Sequence, residues 1–222
     1  MSVLAAYWQS FAAFALFGLL HSVTAQEPFK HALSALAGDF FVTYFWRLAY
    51  CALSLVALYW GVGNLHWARN PDYDVWLVIY PEWLWQIITL LHLGAIVVIY
   101  VAFLQSDYME FLGLKQAARG IDVLFRHTRV DARIPLFGTD RLEVKGIYGL
   151  LRHPMLAGGW WFLLTSGPSL NNLIYTGMYT TYMLIGGYFE ERRLIRVFGD
   201  DYRRYRRCVG AYFPRLRRAP AE

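Results

Sequence analysis

Several patterns are missing, and each absence closes a route. No H-E-x-x-H and no C-x-x-C occurs, so no metal site is expected. No G-x-G-x-x-G follows a strand-like run, which sets aside a soluble Rossmann-type nucleotide fold. Cysteine is scarce. Cys51 lies in an apolar stretch and Cys208 in a basic tail, so a disulfide framework is not indicated. Charge is also sparse, at 17% of residues against about a quarter in a soluble domain. The first nine residues carry no basic group, so the opening apolar stretch lacks the n-region of a signal peptide. Despite the cleavage-like Val23-Thr24-Ala25, it reads as a retained helix.

What remains is apolar and aromatic. Of 222 residues, 57% are hydrophobic, with nine Trp and sixteen Tyr and a mean hydropathy of +0.31. Trp and Tyr at this density suit the two interfaces of a bilayer. Five stretches approach the roughly 20 residues needed to cross one. They run from about Leu4 to Val23, Phe40 to Leu65, Trp83 to Leu104, Ile147 to Ser166 and Leu170 to Phe189. The expectation is an all-α, polytopic membrane protein of one domain. The net charge of +5 sits beside apolar spans, which points to lipid headgroups and not to nucleic acid. Basic residues crowd Gln105 to Lys145 and the tail after Phe189, so both segments are placed in the cytoplasm. Pro135 and Gly138 mark a turn within the first of these. Oligomeric state is not legible.

Charged groups at the ends of apolar spans are costly to place and mark candidate sites. Arg152-His153-Pro154 opens the fourth span. Proline suits a first helical turn and drives the residue before it into an extended backbone. The amides behind it can receive a carboxylate or a polarised base edge. Gly158 and Gly159 permit close approach by a helix or a flat ligand. Glu190 and Glu191 end the fifth span at the same level, where a carboxylate can pair with Arg152 or with a ligand ammonium. Gly199 suits a helix C′ position and Asp200 an N-cap, followed by an amphipathic helix carrying Tyr202 and Tyr205. That helix is expected to fold back over the hairpin.

His21, ending the first span, and Arg47, inside the second, stand on the same side of the membrane and can line a second pocket. His92 lies mid-span and reads as a hydrogen-bonded core residue. His31, His66 and His127 read as loop residues.

The spaced set G-x-Y-x-x-x-R-H-P, then E-E-x-x-L-x-x-x-F-G-x-x-Y-x-x-Y, resembles the cofactor-binding region of the isoprenylcysteine carboxyl methyltransferase superfamily. Arg152, His153, Pro154, Gly158, Glu190, Glu191, Leu194, Phe198, Gly199, Tyr202, Tyr205 and Pro214 fall on its pattern. Leu156 departs from it, since a tyrosine is usual there. Leu20-His21-Ser22 and Glu110-Phe111-Leu112-Gly113-Leu114-Lys115-Gln116 resemble the NnrU-like branch, which includes methanethiol S-methyltransferases.

The resemblance implies a membrane enzyme using S-adenosylmethionine, with S-adenosylhomocysteine as product. Cofactor binding falls to Arg152, His153, Pro154, Leu156, Gly158, Glu190, Glu191, Tyr202 and Tyr205. His21 and Arg47 are the catalytic candidates, because a thiol needs a base or a thiolate-stabilising cation at neutral pH. Residues 1–104 are read as the acceptor side, 105–146 as a cytoplasmic strap, and 147–222 as the cofactor-binding hairpin and tail. A small thiol is the preferred acceptor, ahead of an isoprenylcysteine carboxylate or another lipid-like molecule. The rivals are a haem-binding isomerase of the same branch, with His21, His92 or His153 as ligand, and a non-catalytic membrane subunit.

Overall fold

Glycine and proline set the breaks between helices. The computed structural model describes residues 3–59, 74–126 and 142–215, and over these it is all-α, with no strand beyond two isolated β-bridges. The chain divides into two compact units, Met1–Pro71 with Asp107–Asp140 and Asp72–Ser106 with Arg141–Glu222.

In the first unit, helix α1 (Val3–Thr24) is followed by α2 (Glu27–Ala37), whose Pro28 occupies the first turn, where no N–H is needed. Gly38, at φ +85°, ends α2 and starts α3 (Asp39–Tyr44). The chain breaks again at Phe45 before α4 (Trp46–Leu58). A short α6 (Tyr108–Phe111) begins at Asp107, a non-glycine residue at φ +51° whose carboxylate accepts from the Glu110 amide and pairs with Lys115. Then α7 (Leu114–Arg126) packs on α3 and α4.

Two glycines set that packing. A Cβ on Gly113 would stand 2.6 Å from the Leu48 backbone nitrogen, and one on Gly120 would stand 2.6 Å from Tyr44 Cβ. The motif Glu110 to Gln116 is thus a docking element: the Phe111 carbonyl accepts from Arg47 Nε at 3.0 Å, one residue from where Gly113 meets the α4 backbone.

In the second unit, α5 (Glu82–Gln105) packs along α8 (Pro154–Leu164), which packs on α9 (Leu170–Cys208). His92 on α5 bonds Thr165 Oγ1 at 3.0 Å, the hydrogen-bonded core role expected for it. The α8–α9 turn is pinned by Ser169, which caps the Asn172 amide, and by the Asn172 side chain, which donates to the Leu163 and Gly167 carbonyls. One helix among the described residues, α5, is long and apolar enough to cross a membrane, with 24 residues and mean hydropathy 2.6.

The other expected spans look different from their sequence outline. The second breaks at Phe45, and its end lies outside the described residues, as do Pro135 and Gly138. The fourth is α-helical for 11 residues, about 16 Å against a hydrocarbon core of about 30 Å, because Pro154 fixes its start. The fifth does not stop at Phe189 but continues through Glu190 and Glu191 to Cys208, with a kink at Gly199, φ +56°.

Gly113→Ala is expected to destabilise by about 2–4 kcal/mol, combining left-handed strain with the clash at Leu48. Gly94→Ala on α5, where a Cβ meets open space, is expected to stay within about 1 kcal/mol of wild type. Thermal melting in detergent checks the pair, and equal effects would disprove the docking role of Gly113.

Candidate functional site

The fourth and fifth apolar stretches meet through one buried ion pair. Arg152 precedes α8, and Glu191 lies on α9, 39 residues away in sequence. Their side chains are 7% and 13% exposed, and both Nε and one terminal nitrogen of Arg152 reach Glu191 Oε1, at 2.8 and 2.5 Å. The guanidinium's other terminal nitrogen donates to the Arg206 and Val209 carbonyls. Arg206 Nε reaches the second carboxylate oxygen of Glu191 at 3.1 Å. A lone charge buried here would be costly, whereas this network satisfies both ions from several directions.

His153 completes the cluster. Its Nδ1 lies 3.3 Å from Glu190 Oε2 and its Nε2 lies 3.3 Å from Glu191 Oε1. Burial alone would lower its pKa, but hydrogen bonds to the two glutamates and their charge outweigh that and raise it to about 9. Burial likewise would raise Glu191, yet hydrogen bonds from His153 and Arg152 and the nearby guanidinium charges hold it at about 2. Both groups are therefore charged at neutral pH.

The backbone after α9 closes over this cluster. The Arg152 amide donates to the Gly210 carbonyl at 2.8 Å and the His153 amide to the Ala211 carbonyl at 3.1 Å. Tyr212 stacks on His153 with centroids 5.6 Å apart and donates its hydroxyl to the Met183 carbonyl at 3.0 Å. Phe213 lies edge-on to Trp160, centroids 5.6 Å apart. Tyr205, past the Gly199 kink, donates to the Tyr148 carbonyl at 2.5 Å, and Tyr202 packs against Tyr205. Tyr202 is 1% exposed, and its hydroxyl finds no hydrogen-bond partner among the described residues.

Pro154 starts α8 and His153 offers no side-chain cap, so the Met155 and Leu156 amides have no partner within the helix. The Leu156 carbonyl accepts from the Tyr179 hydroxyl at 3.2 Å, so α9 delivers a phenol to the position where the resemblance leads one to expect a tyrosine. Gly158 and Gly159 serve helix approach: a Cβ would meet Ile99 of α5 at 2.7 Å and the Tyr179 hydroxyl at 2.4 Å.

The sequence reading missed Arg206, Tyr179, Tyr212 and the carbonyls of residues 209–211. Arg206 was legible only as one of a run of arginines, and backbone carbonyls carry no sequence signal.

In the first unit, His21 is bonded to Tyr50, whose hydroxyl is 2.8 Å from Nε2, and to Ser54 Oγ, 3.0 Å from Nδ1. Phe17 stacks on the ring with centroids 5.5 Å apart. Arg47, one turn before Tyr50 and Cys51, turns to the Phe111 carbonyl, which also accepts from Cys51 Sγ at 3.5 Å. Among the described residues no group of acidic, His or Cys side chains is arranged to hold a metal.

The NnrU family profile, described as NnrU protein, matches residues 11–207. The chain belongs to the NnrU family. This NnrU-family chain is 32% identical over 209 residues to the methanethiol S-methyltransferase of Pseudomonas deceptionensis, covering 92% of the chain and 71% of that relative. Methanethiol S-methyltransferase 2 of Bradyrhizobium diazoefficiens is 30% identical over 214 residues, 90% of the chain and 70% of the relative. The methanethiol S-methyltransferase of Mycobacterium tuberculosis is 30% identical over 210 residues, covering 90% and 74%. No solved structure matches the chain.

The pKa values fix a pH window for the cluster. The raised His153 contributes stability fully below about 6.5 and loses it as pH rises through about 9. The depressed Glu191 contributes above about 4.5 and loses it as pH falls through about 2. The melting temperature is expected to plateau between these limits and to fall from pH 6.5 toward 9.5. His153→Gln should remove most of that alkaline slope; an identical slope in the variant would show that His153 is not the titrating group.

Proposed function

We propose that this chain is a membrane-embedded methyltransferase that uses S-adenosylmethionine to S-methylate a small thiol such as methanethiol, giving dimethyl sulfide. The observation that carries the reading is the Arg152–Glu191–His153 cluster, in which the family-pattern residues of two separate apolar segments converge on one point beneath a folded-back tail. The printed names of the relatives support methyl transfer to methanethiol.

The residues suit an amino-acid-bearing cofactor. The Met155 and Leu156 amides offer donors to a carboxylate, Glu190, 51% exposed in its side chain, offers an acceptor to an ammonium, and the buried Tyr202 hydroxyl has spare capacity. Arg152 and Glu191 hold this surface in place and Tyr205 ties the tail across it, while Pro154 and Gly158 set where α8 begins and how closely it packs on α5. When bound, the cofactor supplies a sulfonium-borne methyl group that passes to the acceptor sulfur and leaves S-adenosylhomocysteine. On the acceptor side, His21 takes the thiol proton at a ring nitrogen held by Tyr50, and Arg47 supplies positive charge that favours thiolate.

Both ring nitrogens of His21 and of His153 are engaged by protein groups, which favours this reading over one in which they ligate haem. Basic residues at the ends of the apolar stretches support a bacterial inner-membrane protein with its C-terminus in the cytoplasm.

His153→Ala and Glu191→Ala are each expected to weaken S-adenosylhomocysteine binding by at least tenfold in calorimetry, while the proteins still insert and purify. Wild-type affinity in both variants would leave the cluster as a tail anchor only.

A second test concerns the acceptor. Headspace detection of dimethyl sulfide from methanethiol, run beside methyl transfer to a farnesylated cysteine, is expected to show turnover of methanethiol alone. His21→Ala should slow it at least tenfold without changing cofactor affinity. Turnover of the prenylated acceptor alone would overturn the small-thiol assignment.

A further inference from the structure

Two polar groups in the first unit are buried and have no hydrogen-bond partner among the described residues: the indole nitrogen of Trp46, a donor, and Oε1 of Gln116, an acceptor. Trp46 is 8% exposed and Gln116 7%. An orphaned buried polar atom costs the full desolvation of that atom, so native proteins keep few of them and usually for a reason. Here two orphans of opposite polarity lie at one junction.

Their placement follows from the helices. Trp46 opens α4, directly after the break at Phe45. Gln116 lies on the buried face of α7 with Ala117 and Gly120. Gly113 and Gly120 bracket it, and they touch Leu48 and Tyr44 respectively. Gln116 is therefore carried on a face pressed against residues 44–48, the stretch centred on Trp46. Trp46 in turn stands beside Tyr50, centroids 6.4 Å apart, and Tyr50 bonds His21. Positions 46, 50 and 54 repeat at helical spacing, so one face of α4 carries an indole N–H, a phenol and a hydroxyl, the latter two both bonded to His21. Phe29 of α2 borders the indole, centroids 5.4 Å apart.

We propose that the α3–α4 junction is a thiol-binding site, in which Trp46 Nε1–H donates to the sulfur and Gln116 Oε1 accepts from S–H. The proposal rests on the thiol-methylating reading and adds the residues that select the acceptor. A thiol sulfur is a weak acceptor carrying one weak donor, which is the complement of what the junction offers. The apolar flank formed by Phe29 suits a methyl-sized substituent. As the thiol loses its proton toward the His21–Tyr50 pair, the same indole N–H remains a donor to the charged sulfur, and that bond strengthens. Gln116 then also explains the end of the Glu110 to Gln116 motif, whose earlier residues dock the strap.

The test uses full-length protein, 15N-labelled at its tryptophan indoles, in detergent under reducing conditions, with methanethiol as the probe. Trp46→Phe assigns the Trp46 indole signal; replacing the other tryptophans singly assigns it by elimination should that variant not fold. Adding methanethiol is expected to shift the Trp46 signal saturably while most other indoles stay put. Gln116→Leu should weaken that response at least fivefold and raise KM for methanethiol to match, with S-adenosylhomocysteine affinity unchanged. A Trp46 signal that ignores methanethiol, or one that exchanges magnetisation with a trapped water in its place, overturns the site. Trp46→Phe protein turning over with wild-type KM also overturns it and leaves the transferase reading standing. A saturable Trp46 shift in wild-type protein that never forms dimethyl sulfide upholds the site and removes the transferase reading.

Discussion

The buried pairing of Arg152 with Glu191 is the constraint on which the second unit depends. It joins the residue before α8 to a residue past the apolar part of α9, and through the same guanidinium it holds the Arg206 and Val209 carbonyls. Removing one partner from a buried pair strands the other and costs about 3–5 kcal/mol. In this unit it would also release the turn at residues 209–213, because Arg152 and His153 hold that turn by their backbone amides as well. His153, charged because two carboxylates face it, completes the same closed network. Ordering the tail and shaping a polar surface at the start of α8 are thus one physical event.

The first unit is built on a different principle. Its contacts are close backbone approaches made possible by Gly113 and Gly120, supported by hydrogen bonds to a single main-chain oxygen, that of Phe111. Charge plays a smaller part: Lys115 steadies Asp107, and Arg47 is held by a carbonyl. The polar groups left over, on Trp46 and Gln116, stand out because the surrounding bonds are otherwise satisfied locally. A unit that fixes its backbone by close packing can keep such groups orphaned, whereas a looser one would let them turn to solvent.

Much of the site was legible because its residue types are expensive where they sit. Arginine, histidine and two glutamates at the ends of apolar stretches could be picked out by cost alone, and the structure brings Arg152, His153, Glu190 and Glu191 within ion-pair distance. Gly199 was legible for a similar reason, since a positive φ suits glycine. Tyr179 and Tyr212 were not. They are two among sixteen tyrosines in an aromatic-rich chain, and nothing in their neighbours distinguishes a phenol that meets Leu156 or Met183 from one at an interface. Arg47 was noticed for its charge, but its partner, a carbonyl 64 residues away, has no signature.

The sequence by itself determined the all-α class, the order of apolar segments, the position of the α8 start at Pro154 and the chemistry gathered near it. These are local matters, governed by ring geometry, helix propensity and the cost of burying charge. Tertiary structure alone decided that the α5 segment folds with α8 and α9 and not with the helices before it, and that Gly158 faces Ile99. It also decided that α9 runs unbroken past Phe189 and that the tail returns as a short extended segment against residues 151–153. Each of these depends on which surfaces meet across tens of residues. That choice is made by shape and by the pairing of backbone groups, neither of which is written in the identity of any one residue.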